Sequence, residues 1–194
     1  MEFSQFWALA LFAFVTTFTP GPNNIMLMAS GANVGFKKTI PHMAGITIGF
    51  SVMVLLVGIG LMGVFNTYPV SHAILKYLSL VYLAYLAFKI ATSKPVETDC
   101  SYRPMTFFAA ASFQWVNPKG WSMALTAVTV YSANGAWYEL SLIAFVFALV
   151  NLPSVTFWAA AGQQLQRWLT TPTKIRGFNG LMAALLIAST LPMI

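Results

Sequence analysis

The stretch FTPGPNN, residues 18–24, interrupts an apolar run, residues 3–36, that contains no Lys, Arg, Asp or Glu. Further uncharged runs cover residues 39–75, 104–118, 120–138, 140–166 and 177–194. About 20 apolar residues are enough to cross the hydrocarbon core of a bilayer. Only 7% of the 194 residues are charged and the mean hydropathy is +0.74, whereas soluble domains carry about 25% charged residues. The composition therefore predicts an integral membrane protein.

The runs and their breakers predict an all-α membrane protein with six transmembrane helices. Their predicted bounds are 3–24, 40–65, 71–91, 105–131, 138–162 and 177–194. The connections are short, so residues 1–194 are predicted to form a single transmembrane domain. No basic residue precedes the first run, which favours a retained helix over a cleaved signal peptide. The single cysteine, Cys100, cannot form a disulfide within the chain.

Basic residues are concentrated in the loops after predicted helices 1, 3 and 5. These residues are Lys37, Lys38, Lys89, Lys94, Arg103, Arg167, Lys174 and Arg176, and the opposite side has only Lys76. Because short loops rich in Lys and Arg stay in the cytoplasm, both termini are predicted to lie outside. Topology and anionic membrane lipid then explain the net charge of +6, and no nucleic-acid partner is expected.

The break in predicted helix 1 has a counterpart in predicted helix 4, where Asn117-Pro118-Lys119-Gly120 interrupts the run. Pro20 and Pro118 are 98 residues apart, about half of the chain. Each half has three helices, an odd number, so the second half is predicted to lie upside down relative to the first. The sequence thus predicts a 3+3 inverted repeat with broken helices 1 and 4, which is typical of secondary transporters.

The two breaks are the candidate substrate site. A proline removes an amide donor and clashes with the preceding turn, which leaves backbone groups that hydrocarbon cannot satisfy. Two breaks at matching positions favour a polar substrate path, and a packing kink is the alternative. The candidate binding residues are Thr19, Pro20, Gly21, Pro22, Asn23, Asn24, Asn117, Pro118, Lys119 and Asn151.

Lys119 lies well inside predicted helix 4, where a charge costs at least about 2.5 kcal/mol. Its side chain therefore either snorkels to an interface or faces a polar cavity, where the ammonium group would hold a substrate carboxylate. Glu2, Glu97 and Asp99 lie at a terminus or in a loop, and Glu139 lies at the outer end of predicted helix 5. With no carboxylate deep in the membrane, the expected cargo is anionic or zwitterionic.

Smaller features concern helix packing. Gly45 and Gly49 form a small-xxx-small pair, which predicts close contact between two helices. Asn151 and Pro153 make a third break, which predicts a bend in helix 5 that lines the same cavity. Six short helices form a small bundle, for which a homodimer is an open alternative.

Three segments carry a resemblance to a known family. Residues 19–24, with ANVGFKKT at 32–39 and GITIGF at 45–50, resemble the signature of the LysE/RhtB superfamily of bacterial amino-acid exporters. The segment QWVNPK, residues 114–119, is similar to the second signature of that superfamily. Chain length, the number of apolar segments and motif order agree, so the resemblance extends over essentially the entire chain.

The resemblance implies efflux of amino acids or close derivatives across the bacterial inner membrane, driven by the proton motive force. Superfamily members that export basic amino acids are expected to use acidic residues within the membrane, which this sequence lacks. The resemblance therefore favours the branch that exports neutral compounds such as homoserine, threonine, cysteine or O-acetylserine.

The expected mechanism is alternating access, with an amino acid bound between broken helices 1 and 4. The candidate proton carriers are His42, Lys119 and Glu139. An intramembrane enzyme would need a nucleophile and base, or metal ligands, at one depth, but His42 and His72 are predicted at opposite sides. No enzymatic activity, cofactor or metal is therefore expected. A channel or a structural membrane protein without coupled transport remains the alternative.

Overall fold

The computed structural model describes residues 3–61, 69–93, 102–132 and 135–189, where the chain is helical and contains no strand. Cys100, Glu2, Glu97 and Asp99 lie outside these ranges. The described helices are α1 Phe3–Phe18, α2 Pro22–Val34, α3 Phe36–Leu56, α4 Pro69–Ala91, α5 Phe107–Phe113, α6 Pro118–Tyr131, α7 Trp137–Gln166 and α8 Pro172–Ala188. A π-helical turn, Val57–Leu61, extends α3, and a 3-10 turn, Gln114–Val116, follows α5. The predicted all-α class is confirmed.

The helices have the lengths and the surface of a membrane protein. Within the described ranges, Phe36–Gly60 and Trp137–Gln166 are each long and apolar enough to span a bilayer alone. Helices α1 and α2 are bent by 53° at their break and have the length and composition of one broken span or of a re-entrant loop. Large apolar side chains face outward, as lipid contact requires; Val81 is 70% exposed and Phe108 is 78% exposed. The described chain is therefore a helical membrane protein, while six spans and the inverted repeat stay predictions.

The first broken helix continues further than its sequence predicted. It was predicted to end at residue 24, but a new helix begins at Pro22 and runs to Val34. Residues 25–34 contain no proline, so the helix continues to Gly35, whose φ of 80° favours glycine. Helix α3 then begins at Phe36 rather than at residue 40.

The second break is also narrower than predicted. Only Asn117 is non-helical, with φ −89° and ψ 107°, and Pro118, Lys119 and Gly120 form the first turn of α6. Proline is favoured at the first helical position because its φ suits a helix and the missing N–H has no intrahelical partner there. Pro22 starts α2 in the same way. These two prolines begin helices rather than disrupt them.

The helix pairs that flank the two breaks, α1–α2 and α5–α6, connect two apolar clusters of the core. One cluster contains Leu9 of α1, Phe50 of α3, Trp121 of α6 and Phe147 of α7. A second contains residues of α2, α4, α5 and α8, and a third contains residues of α2, α3, α5 and α7. The pairs α1–α2 and α5–α6 therefore each send one helix into the first cluster and the other into the second, and the breaks lie between these two clusters along the chain.

Close contacts between helices depend on glycine. A Cβ atom at Gly45 would overlap the carbonyl oxygen of Phe107, and one at Gly49 would lie 2.5 Å from Ala111 Cα. The predicted small-xxx-small contact is confirmed, and its partner is α5. Gly31 and Gly162 allow α2 and α7 to approach each other in the same way.

Contacts between helices follow one pattern in the two halves, α1–α4 and α5–α8. The α1–α2 pair packs on α7, and α5 packs on α3. Helix α3 also packs on α7, and α4 packs on α8. If α1, α2, α3 and α4 are exchanged with α5, α6, α7 and α8 in that order, each of these contacts becomes another contact of the protein or stays the same. The pattern fits two related halves, and the inverted orientation of the second half stays a prediction.

Candidate functional site

The two breaks are joined by a pair of amide side chains. Asn23 Nδ2 donates to Gln114 Oε1 at 2.9 Å, and Gln114 Nε2 donates to Asn23 Oδ1 at 3.2 Å. Gln114 is fully buried, and its Nε2 also donates to the Ala110 carbonyl at 2.8 Å. Sequence reasoning did not select Gln114, although an amide three residues before the second break was a usable signal.

Lys119 extends from the first turn of α6 to the end of α1. Its Nζ donates to the Thr19 carbonyl at 2.7 Å, to Thr19 Oγ1 at 2.8 Å and to the Pro20 carbonyl at 3.4 Å. These carbonyls follow the C-terminal end of α1, where the helix dipole favours a positive charge. The ammonium group thus lies at the first break.

Side chains from α2 and α7 satisfy the remaining carbonyls at the first break. Together with Lys119, they give every carbonyl of residues 17–20 a donor, which hydrocarbon could not supply. The Asn24 amide is therefore occupied by backbone carbonyls of the first break. The bonds are Asn24 Nδ2 to Thr17 O at 2.7 Å and Thr19 O at 2.9 Å, Ser154 Oγ to Thr17 O at 2.8 Å, and Trp158 Nε1 to Phe18 O at 3.3 Å.

Two helix N-termini face this region. The N-cap residue of α2 is Gly21, which has no side chain, and the Asn117 side chain at the N-cap of α6 forms no capping hydrogen bond. The first residues to donate within these helices are Ile25 and Trp121. The backbone N–H groups before them have no intrahelical acceptor, so each helix presents the positive end of its dipole beside Lys119.

A small cavity, which we call the break cavity, lies where these groups meet. Its volume of about 30 Å³ has room for water but not for an amino acid. Asn117 Oδ1 is buried there and has no hydrogen-bond partner among the described residues. The lining residues are Thr16, Thr17, Gly21, Asn23, Asn24, Ile46, Phe50, Gln114, Asn117, Lys119, Gly120, Met123 and Asn151.

Most of the candidate binding residues come together at the break cavity. Thr19 and Pro20 contribute carbonyls to Lys119 without lining the cavity, and Pro22 and Pro118 start the two helices. Asn151 lines the cavity from α7, and its Nδ2 donates to Thr47 Oγ1 of α3 at 2.8 Å. The substrate-binding role of these residues stays a prediction.

The three candidate proton carriers lie in separate places. Lys119 lines the break cavity, whereas Glu139 lies at the start of α7 and is 4% exposed. The Glu139 carboxylate accepts hydrogen bonds from Ser132 Oγ at 3.1 Å and from the Tyr138 hydroxyl at 3.3 Å. His42 lies within α3, and its side chain is fully buried. Within the described ranges, no group of His, Cys, Asp and Glu is suited to hold a metal ion.

His42 borders a larger cavity, which we call the second cavity. Its volume is about 340 Å³. Tyr102 connects to His42 through Ser30, with 3.0 Å between the Tyr102 and Ser30 hydroxyls and 3.4 Å between Ser30 Oγ and His42 Nδ1. Burial raises the pKa of Tyr102 to about 12, against the opposing effect of the Ser30 bond, so its hydroxyl is neutral at pH 7. The lining residues are Met26, His42, Tyr82, Tyr85, Leu86, Lys89, Ile90, Ser93, Tyr102, Arg103, Pro104, Met105, Thr106 and Ala109.

Known proteins resemble this chain in sequence over most of its length. The chain matches the LysE type translocator family over residues 14–191, a region that contains both breaks and both cavities. It is similar to proteins named cysteine/O-acetylserine efflux protein in Escherichia coli (strain K12), Escherichia coli O1:K1 / APEC and Shigella sonnei (strain Ss046). Each is 31% identical over 168 residues, which are 84% of this chain and 84% of the relative. No solved structure matches the chain. From the extent of the match, this chain belongs to the LysE type translocator family.

Proposed function

We propose that this protein exports neutral, zwitterionic amino acids or close derivatives across the bacterial inner membrane by proton-coupled secondary transport. The main support is the convergence of Lys119, Asn117 and two helix N-termini on the break cavity. The Lys119 ammonium and the free backbone N–H groups attract the substrate carboxylate. The unpartnered Asn117 Oδ1 accepts a hydrogen bond from the substrate ammonium.

The charge of the break cavity supports a neutral substrate. Among the described residues, its lining includes one cation and no carboxylate. A lysine or arginine substrate would bring a second positive charge toward Lys119 without any group to pair with it, which disfavours basic amino acids. Cysteine and O-acetylserine, which appear in the names of the relatives, are neutral and have short side chains. They are therefore the first substrates to test.

Binding at Lys119 provides a physical basis for alternating access. The break cavity is too small for an amino acid, so the helices around it must separate during transport. The bonds from Lys119 to Thr19 and Pro20 join α6 to the end of α1. A substrate carboxylate competes with these carbonyls for the ammonium group. Substrate binding then weakens the link between the two broken helices and favours their movement.

The test is uptake of labelled amino acids into inside-out membrane vesicles that contain the protein and maintain a proton gradient. We expect saturable accumulation of O-acetylserine, cysteine, homoserine or threonine, and none of lysine or arginine. Dissipation of the gradient with an uncoupler should prevent accumulation. Lys119→Met should insert normally and abolish transport, and Lys174→Met, at an exposed cation of α8, is the matched control.

Three other outcomes would each contradict one part of the proposal. Non-saturable flux that ignores the proton gradient would indicate a channel. The absence of flux for every amino acid would favour a structural role. Full activity of Lys119→Met would remove this residue from the substrate site.

A further inference from the structure

The second cavity and the break cavity lie one above the other along the same helices. Three segments each contribute residues to both cavities, and within each segment one pair of lining residues is three to five residues apart. This separation corresponds to about one helical turn, roughly 5 to 7 Å. The pairs, with the break-cavity residue first, are Asn23 and Met26 on α2, and Ile46 and His42 on α3. The third pair is Gln114, in the 3-10 turn after α5, and Ala109, within α5.

Buried apolar side chains lie on the helices that line both cavities: Met26 lines the second cavity, and Phe113 precedes Gln114 of the break cavity in sequence. Met26 is 2% exposed and Phe113 is 1% exposed, and both belong to the same buried cluster. The Tyr82 ring, which lines the second cavity, lies 5.8 Å from the Phe113 ring, measured between centroids. Movement of these side chains could connect the cavities without unfolding a helix.

The second cavity has a positive lining. Lys89 and Arg103 line it, and no carboxylate does so among the described residues. Glu97 and Asp99, which precede Arg103 in sequence, lie outside those residues. Both cations belong to the side predicted to be cytoplasmic. An anionic group that approaches from that side would be attracted to this cavity before it reached Lys119.

The second cavity also contains a buried polar atom that needs a partner. His42 is fully buried, and its Nε2 has no hydrogen-bond partner among the described residues. The other ring nitrogen, Nδ1, lies 3.4 Å from Ser30 Oγ. When Nδ1 carries the proton, Nε2 is an acceptor; because it is sealed from the cavity in this conformation, neighbouring side chains must move before a substrate reaches it. A buried acceptor of this kind suits the ammonium group of an amino acid.

We infer that the second cavity is a first binding site for the exported zwitterion on the predicted cytoplasmic side. Arg103 and Lys89 hold the carboxylate, and His42 Nε2 accepts a hydrogen bond from the ammonium group. The substrate then passes Met26 and Phe113 and exchanges its carboxylate onto Lys119. This inference rests on the proposed function, because it requires an amino acid that moves outward.

The first test measures initial rates of labelled O-acetyl-L-serine uptake into inside-out vesicles, whose outer face is the cytoplasmic one. The Lys89→Gln/Arg103→Gln protein should show a KM about fivefold higher with an unchanged kcat, because exposed cations contribute modestly to binding. The single variant Arg103→Lys, which keeps the positive charge, should retain most of the wild-type affinity. The matched control is Lys174→Gln/Arg176→Gln, which removes two exposed cations of α8 that line neither cavity.

The second test measures equilibrium binding of labelled O-acetyl-L-serine to purified Lys119→Met protein. This protein should bind the amino acid although it does not transport it, and adding Lys89→Gln/Arg103→Gln should weaken that binding by about the same fivefold factor. If wild-type protein transports and the Lys89→Gln/Arg103→Gln protein matches its α8 control, the second site is wrong and the proposed function stands. If wild-type protein transports no amino acid, the proposed function itself fails.

Discussion

Single side chains make the first break possible inside a membrane. Asn24, Ser154 and Trp158 donate to carbonyls of residues 17–19, and none of these donors carries a charge. Lys119 differs, because it satisfies the Thr19 and Pro20 carbonyls with an ammonium group that a carboxylate could attract away. The neutral donors therefore maintain the break, whereas the charged donor is suited to exchange partners during transport.

Gly21 controls the path of the Lys119 side chain. A Cβ atom at position 21 would lie 2.8 Å from Lys119 Cδ and 3.1 Å from Nζ. Because this contact involves the end of a flexible side chain, Gly21→Ala should fold normally and displace the ammonium group. We expect initial transport rates to fall by about 10- to 100-fold, because a misplacement of about 1 Å can cost up to roughly 100-fold. Vesicle uptake measures the rate, and thermal unfolding in detergent measures stability.

A glycine in open surroundings is the matched control for Gly21. Nothing lies within 4 Å of a Cβ atom added at Gly180 in α8. Gly180→Ala should retain the wild-type transport rate and gain slightly in stability, because alanine favours a helix by about 1 kcal/mol over glycine. A Gly21→Ala protein that transports as fast as Gly180→Ala would show that the position of Lys119 does not limit transport.

At the scale of helices, the sequence predicted the breaks better than their bounds. Proline and asparagine marked residues 19–24 and 117–120, and both regions contain breaks. Proline alone, however, does not reveal whether it disrupts a helix or begins one. Pro22 and Pro118 begin helices, so the non-helical part of the second break shrinks to Asn117.

Tertiary contacts account for the site features that the sequence did not reveal. The residue types indicated polar breaks, but the pairing of Asn23 with Gln114 depends on how α2 and α5 pack. The acceptors of Lys119 likewise lie on α1, distant in sequence. Burial of His42 reflects the packing of α3 and the segment around Tyr102, which a position near a predicted helix start could not indicate.

The contact between α2 and α7 should be sensitive to one added methyl group. A Cβ atom at Gly31 would overlap the Ala159 carbonyl oxygen, and one at Gly162 would overlap the Met28 carbonyl oxygen. Because a backbone atom cannot move aside as a side chain can, Gly31→Ala and Gly162→Ala should each destabilise the protein by about 1 to 3 kcal/mol. Thermal unfolding of purified protein in detergent should show a lower Tm for both variants.

Gly177→Ala in α8 is the control for this packing prediction, since nothing lies within 4 Å of its added Cβ atom. Its Tm should equal or exceed that of wild-type protein. If Gly31→Ala and Gly162→Ala unfold at the same temperature as Gly177→Ala, then α2 and α7 do not approach closely in the folded protein.

At the scale of the whole molecule, the direction of transport depends on orientation in the membrane. Arg103 and Lys89 line the second cavity, and the basic loops predict that this side faces the cytoplasm. A substrate would then meet the larger cavity first and the break cavity second. The reverse orientation would make the second cavity an exit, so orientation decides how both cavities function.

Cysteine labelling tests this orientation, because Cys100 is the single cysteine and Cys100→Ser removes the only native thiol. In that background, Arg176→Cys reports the predicted cytoplasmic side and Trp137→Cys, at a side chain that is 65% exposed, reports the outer side. A membrane-impermeant maleimide added to intact cells should label Trp137→Cys and leave Arg176→Cys unlabelled, whereas permeabilised cells should show both labelled. Labelling of Arg176→Cys alone in intact cells would show that the topology is the reverse of the predicted one. The Lys89 and Arg103 cations would then face outward, where they could not attract a substrate that leaves the cytoplasm.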